Sequence, residues 1–172
     1  MRILGIDPGL DGGIAMMDGS RLVIIEQMPT TGGTKRSVDA GRLSMQFAAW
    51  ILDEGIEHAF LERVGAMPGQ GVTSMFSFGE GYGVIKGVLS ALHISYSLVS
   101  PQKWQNAIGV AKSKDTKGAA ATRAAQLFPG VDFRASARCR KPHDGMVDAA
   151  LIAAYGVRAV GSGSNYREDA EG

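Results

Sequence analysis

Four carboxylates in this chain stand where elementary packing has little use for them. Asp7 follows the short apolar run "RILGI" and is cut off at once by Pro8-Gly9. Glu62 closes a second apolar run, "HAFL". Asp144 and Asp148 lie in "HDGMVDAALIAA", spaced i, i+4. On a helix that spacing puts both on one face, with Cβ atoms about 6 Å apart. Their neighbours Met146, Val147, Ala149, Ala150, Leu151 and Ala153 are apolar. Acids in an otherwise buried helix are costly unless a cation neutralises them. Three or four carboxylate oxygens from separate elements suit Mg²⁺ or Mn²⁺, which are hard, oxygen-seeking ions. Two such ions about 3.5–4 Å apart can activate water and stabilise the leaving oxygen in phosphodiester hydrolysis. Zinc is a poor fit, because Cys139, His58, His93 and His143 have no ligand spacing.

Each acid also has an ordinary explanation. Asp7 can accept from the amides of the Pro8-Gly9 turn, and Glu62 can pair with Arg63. Asp144 can cap the last helix, where acids favour the dipole. Asp148, a turn further in among alanines and a valine, is the hardest to explain that way. The four together are more specific than any one of them.

The elements that must carry these groups follow from the hydrophobic pattern. Residues 2–6, 12–17 and 22–28 read as three strands, with Asp18-Gly19 as a hairpin turn between the second and third. Leu43, Phe47, Trp50 and Ile51 form a helical stripe, with Asp39 as a candidate N-cap and Gly55 as a stop. Residues 57–64 and 94–100 are further strands. A helix is expected from about Ser74 to Leu92, although Gly79, Gly81, Gly83 and Gly87 lie inside it. Each such glycine costs about 1 kcal/mol relative to alanine, so close packing on the sheet or on a second subunit is expected there. Pro101 opens a short helix, a further helix spans "KSKDTKGAAATRAAQLF", and the last runs from about His143 to Val160. The order β-β-β-α-β-α-β-α-α-α implies an α/β fold. Its mixed five-stranded sheet has three antiparallel strands first, then strands alternating with helices. Residues 1–160 are expected to form one domain and 161–172 a flexible tail. In such a sheet the first and fourth strands can be neighbours, which would unite Asp7 with Glu62.

Among 172 residues the formal net charge is only +1, but it is unevenly spread. From Pro101 to Pro142 the basic residues are Lys103, Lys112, Lys114, Lys117, Arg123, Arg134, Arg138, Arg140 and Lys141, opposed only by Asp115 and Asp132. A basic stripe beside a group of acids is the footprint of a polyanion such as nucleic acid, or else a solvated surface. The single cysteine permits no intrachain disulfide. No signal-peptide pattern and no membrane-length apolar run are present, so a cytoplasmic, membrane-free protein is expected.

"GIDPGLDGGIA", "LERV", "SPQKWQNAIGVAKSKD" and "HDGMVDAALIAA" together resemble, in order and spacing, the RuvC family of Holliday junction resolvases within the ribonuclease H-like superfamily. The likeness runs from residue 3 to about 154 and points to a phage-type or divergent member, working in a bacterial cell. It implies a homodimeric, Mg²⁺-dependent endonuclease, with Mn²⁺ substituting and two ions per site. Such an enzyme nicks four-way or otherwise branched DNA symmetrically. Asp7, Glu62 and Asp148 match the family's metal-binding acids. The family places an acid or histidine three residues before the last aspartate, where this chain has Gly145. Asp144 is the natural replacement, with His143 in reserve as an assisting residue. The family's aromatic three residues after the glutamate is Gly65 here, leaving Met67, Phe76 or Phe78 either to wedge at the junction or to serve as core or dimer contacts. Lys103, Lys112, Lys114, Lys117, Arg138, Arg140 and Lys141 are the expected phosphate contacts.

Two rivals remain open at this level: a ribonuclease H-like nuclease acting on RNA–DNA hybrids or other branched DNA, and a non-catalytic junction-binding protein. "DPGLDGG" also has the look of the phosphate loop of actin-like kinases, but those need two such domains. "GEGYG" and "GVAKSK" do not match the Walker pattern.

Overall fold

In a computed structural model of the chain, residues 1–53, 55–65, 71–110 and 115–163 are described. Lys112, Lys114, Met67 and the tail from residue 164 lie outside them. The elements are β1 (Arg2–Asp7), β2 (Gly13–Asp18), β3 (Arg21–Gln27), α1 (Ala40–Asp53), β4 (His58–Glu62), α2 (Val72–Ala91), β5 (Tyr96–Val99), α3 (Pro101–Ile108), α4 (Thr116–Leu127) and α5 (Asp144–Gly161). Their order is the one the sequence implies. The sheet runs β3-β2-β1-β4-β5. β1, β2 and β3 are an antiparallel meander, and β4 and β5 add in parallel to β1.

Strand periodicity decides what faces what. Leu4 and Ile6 of β1 and Ala59 and Leu61 of β4 join one core with Leu43 and Phe47 of α1 and Ile85 and Leu89 of α2. Ile3 and Phe60 point the other way, into a second core built from α3, α4 and the long stretch Met146–Tyr155 of α5. Asp7 and Glu62 have the parity of Ile3 and Phe60. Both therefore leave the sheet on the side that α5 covers.

Local signals explain the element ends. Asp39 Oδ1 accepts from the Arg42 amide at 3.0 Å, capping α1 as expected, and Gly55 ends that helix at φ 72°. Ser100 caps α3 by accepting from the Lys103 amide, with Pro101 in the first turn. The β2–β3 hairpin turns on Gly19-Ser20 rather than Asp18-Gly19: Asp18 still pairs with Arg21, and Gly19 takes the positive φ of 58°. In α2 the expected close packing on the sheet is absent at Gly79, Gly83 and Gly87. A Cβ at any of them would meet open space, and only Gly81 lies against a neighbour, Val38.

Candidate active site

β1 and β4 pair in parallel with Ile6 opposite Leu61. One step further along this register sets Asp7 beside Glu62, at the carboxyl ends of adjacent parallel strands. α5 then crosses over β1 so closely that a Cβ on Gly5 would stand 2.2 Å from the carbonyl oxygen of Ala149 and 2.3 Å from the nitrogen of Ala153. The first turns of α5 are held just as tightly by the β1–β2 turn. A Cβ on Gly145 would come within 2.3 Å of the Asp11 carbonyl and 2.5 Å of Gly12 Cα. These contacts are why position 145 carries no acid. The neighbouring position, 144, faces outward and has room for one.

The resulting open cleft, ≈ 620 Å³, is lined by Asp7, Asp144 and Asp148, by the Gly9–Gly12 turn, by Lys117, and by Ser74, Ser77 and Phe78 of α2. Asp7 accepts weakly from the Gly9 amide at 3.4 Å, so the turn-binding role foreseen for it exists alongside its place in the cleft. Its carboxyl is pushed up from 3.8 to about 7, first by burial, then by the charges of Glu62 and Asp148. Asp148 is also pushed to about 7, by burial, Glu62 and Asp144, against a smaller opposing pull from Lys117. Burial raises Glu62 too, offset in part by a hydrogen bond from Trp104. Three partly buried carboxyls that resist ionisation together form a site short of positive charge.

Asp144 is more exposed and carries a 2.5 Å ion pair with Lys117. His143 is the N-cap of α5, its Nδ1 accepting from the Met146 amide at 3.3 Å. The capping role considered for Asp144 therefore falls to its neighbour, whose Nδ1 is engaged in the cap. Glu62 does not pair with Arg63: its Oε1 accepts from the indole of Trp104 at 2.8 Å. The sequence reading did not give Trp104 this role. Only the register of β4 against β5, followed by the turn into α3, shows that the helix delivers an indole to that carboxylate. Arg36 is a second omission. It donates to Asp11 Oδ1 and the Leu10 carbonyl, each at 2.9 Å, and braces the turn that forms one wall of the cleft.

Of the expected phosphate contacts, Lys117 lines the cleft, and Lys141 lines a ≈ 420 Å³ hollow next to it with Lys117 and Asp144. Lys103, Arg138 and Arg140 are exposed. Phe78 lines the cleft, whereas Phe76 stands 74% exposed on α2, outside the core.

The donor set is all carboxylate oxygen, its pKa values raised by burial and, for Asp7 and Asp148, by neighbouring acids, and this chemistry fits a hard divalent cation. The side chains are not drawn into a finished chelate: among the described residues no group of three or more acidic, histidine or cysteine side chains is close enough to hold an ion as it stands. No helix among them is long and apolar enough to cross a membrane.

No family model and no curated protein matches the chain by sequence. Solved structures match it by shape. Thermus thermophilus RuvC in complex with Holliday junction substrate superposes with a TM-score of 0.67 at 15% identity, over 95% of this chain and 97% of that one. A second T. thermophilus RuvC structure gives 0.62 at 15% identity, over 95% and 98%. The yeast mitochondrial Holliday junction resolvase Ydc2 gives 0.57 at 18% identity, over 91% and 77%. In sheet order, helix placement and extent, the chain has the ribonuclease H-like fold of RuvC.

Proposed function

We propose that the chain is a structure-specific DNA endonuclease that resolves four-way junctions by paired, symmetric nicks with divalent metal ions. The observation that carries this reading is the meeting of Asp7 and Asp148, both held near pKa 7, with Glu62 at one end of a RuvC-like sheet. Asp7, Glu62, Asp148 and Asp144 would hold Mg²⁺ or Mn²⁺. Bound there, two ions supply an activated water and offset charge on the departing 3′ oxygen.

The chain's own residues do the rest. The Gly9–Gly12 turn, braced by Arg36, and the α2 wall at Ser74, Ser77 and Phe78 shape a cleft open enough for a phosphodiester. Lys117 pairs with Asp144 at its edge and would contact a non-bridging phosphate oxygen of bound DNA. Lys141 and the exposed Lys103, Arg138 and Arg140, with Lys112 and Lys114, extend the contact along the backbone and hold DNA without reading bases. The protein acts as a homodimer in the cytoplasm of a bacterial cell. A two-fold junction calls for two sites related by a two-fold axis, and the open face of α2 is the candidate contact.

The test is a Mg²⁺ cleavage assay on end-labelled four-way junction, three-way branch, plain duplex and RNA–DNA hybrid, with wild type and Asp7→Asn in parallel. Paired nicks in the junction, lost in Asp7→Asn while junction binding persists, are the expected result. Preferential hybrid cutting would move the protein to another branch of the same fold. Junction binding without nicks from either protein would make it a non-catalytic binder.

A further inference from the structure

Trp104 is one of two tryptophans in the chain and is only 1% exposed. It belongs to the buried core that also takes in Val147 and Leu151 of α5. A buried indole N–H needs an acceptor, and the acceptor is a carboxylate oxygen, Glu62 Oε1, at 2.8 Å. The placement comes from the chain path. Glu62 pairs with Val99 at the end of β5, Ser100 caps the helix that follows, and one turn later Trp104 reaches back to the glutamate.

We propose that Trp104 is a positioning residue for the metal site. Its N–H engages Oε1 of Glu62, so that the carboxylate is oriented before any ion arrives and Glu62 would stand ready as one of the residues that hold a cation. This rests on the nuclease reading above. A glutamate ligand has three side-chain torsions to fix, and ordering them on binding opposes affinity. An indole held by a packed core removes that freedom beforehand. The hydrogen bond to a ligating group is of the kind whose loss costs about 10–100-fold in metal affinity or activity. Because Trp104 shares one buried core with the apolar residues of α5, the helix carrying Asp148, it links two of the acid-bearing elements.

Two variants test this. Trp104→Phe keeps an aromatic ring and removes the donor. Binding of Mn²⁺ is followed by loss of the free-ion electron paramagnetic resonance signal. The expected result is a dissociation constant raised about tenfold. Junction kcat should fall by a similar factor with KM unchanged, and the circular dichroism spectrum should be retained. Trp50→Phe leaves Trp104 native and as the sole indole. Trp50 sits in α1 on the opposite core, its ring tilted against Phe47, so its removal leaves the site alone. In that variant Mn²⁺ should quench the Trp104 emission with the same midpoint that the resonance signal gives.

A Trp104→Phe protein with wild-type Mn²⁺ affinity and kcat overturns the proposal. So does Trp104 emission that stays unmoved at Mn²⁺ concentrations saturating the site. If Trp104→Phe fails to fold, the quenching in Trp50→Phe decides alone. The two readings separate cleanly. Quenching and weakened Mn²⁺ binding without cleavage of any substrate would uphold the positioning role and sink the nuclease. Normal cutting by Trp104→Phe beside a dead Asp7→Asn would do the reverse.

Discussion

The carboxyls of Asp7 and Asp148 behave as half-neutral groups at physiological pH, each raised from 3.8 to about 7. A raised carboxyl pKa means that the folded protein binds protons which the unfolded chain has released. Without metal, the stabilising effect is complete below about pH 4 and disappears as the pH climbs through 7. Metal-free protein should therefore be more stable at pH 5.5 than at pH 8 by on the order of a few kcal/mol for the coupled pair, and melt at a higher temperature there. Millimolar Mg²⁺ or Mn²⁺ should raise it far more at pH 8, where the acids are ready to ligate, than at pH 5.5. Asp7→Asn removes one of the like charges. Metal-free Asp7→Asn should melt above wild type at pH 8 and show a flatter pH profile, while losing the cleavage proposed for wild type. Scanning fluorimetry across pH with and without metal reads all three, and a wild type equally stable at both pH values would show that these carboxyls ionise freely.

At the scale of elements, what makes the site is how near α5 comes to β1 and to the β1–β2 turn. Backbone meets backbone at Gly5 and Gly145, with no flexible side chain there to give way. Gly145→Ala should cost about 1–3 kcal/mol by overpacking, and it should lower cleavage more than junction binding, since α5 must shift and take Asp148 with it. Gly145→Asp combined with Asp144→Asn places an acid three residues before Asp148, where the resembled family has one, yet it should not restore cutting. Restored cutting would mean that the turn can yield. Much of this scale was legible beforehand. Short apolar runs bounded by turn signals marked the strands, helical stripes and caps marked the helices, and the acids at two strand ends pointed to β1 and β4 as neighbours. Trp104 and Arg36 were not legible. Their partners, Glu62 and Asp11, lie 42 and 25 residues away in sequence, and only the sheet register and the folded loop bring them together. The glycines of α2 were read as close packing, whereas three of the four have nothing beside them in a single chain.

For the whole molecule, that last point bears on assembly. Val72, Phe76, Gly79, Gly83 and Gly87 recur at helical spacing on the outer side of α2. Val72 is 85% and Phe76 74% exposed, and the three glycines are open. Open glycines inside a helix cost stability unless another backbone uses the space, and a two-fold partner laying the same stripe against this one would use it. Gly83→Asp puts like charges face to face across such an isologous contact while improving helix propensity within one chain. The variant should fold at least as well as wild type, sediment as a monomer where wild type is a dimer, and convert paired nicks into single, uncoordinated ones. DNA affinity should change as well, because each subunit brings its own basic segment. The slope of log K against log salt is about −0.9 for each phosphate neutralised on duplex DNA. Lys112→Ala with Lys114→Ala should flatten it by about two per subunit, and monomeric Gly83→Asp should roughly halve it. A Gly83→Asp protein that stays dimeric and still nicks in pairs would place the two-fold contact on another face of the sheet's helical layers.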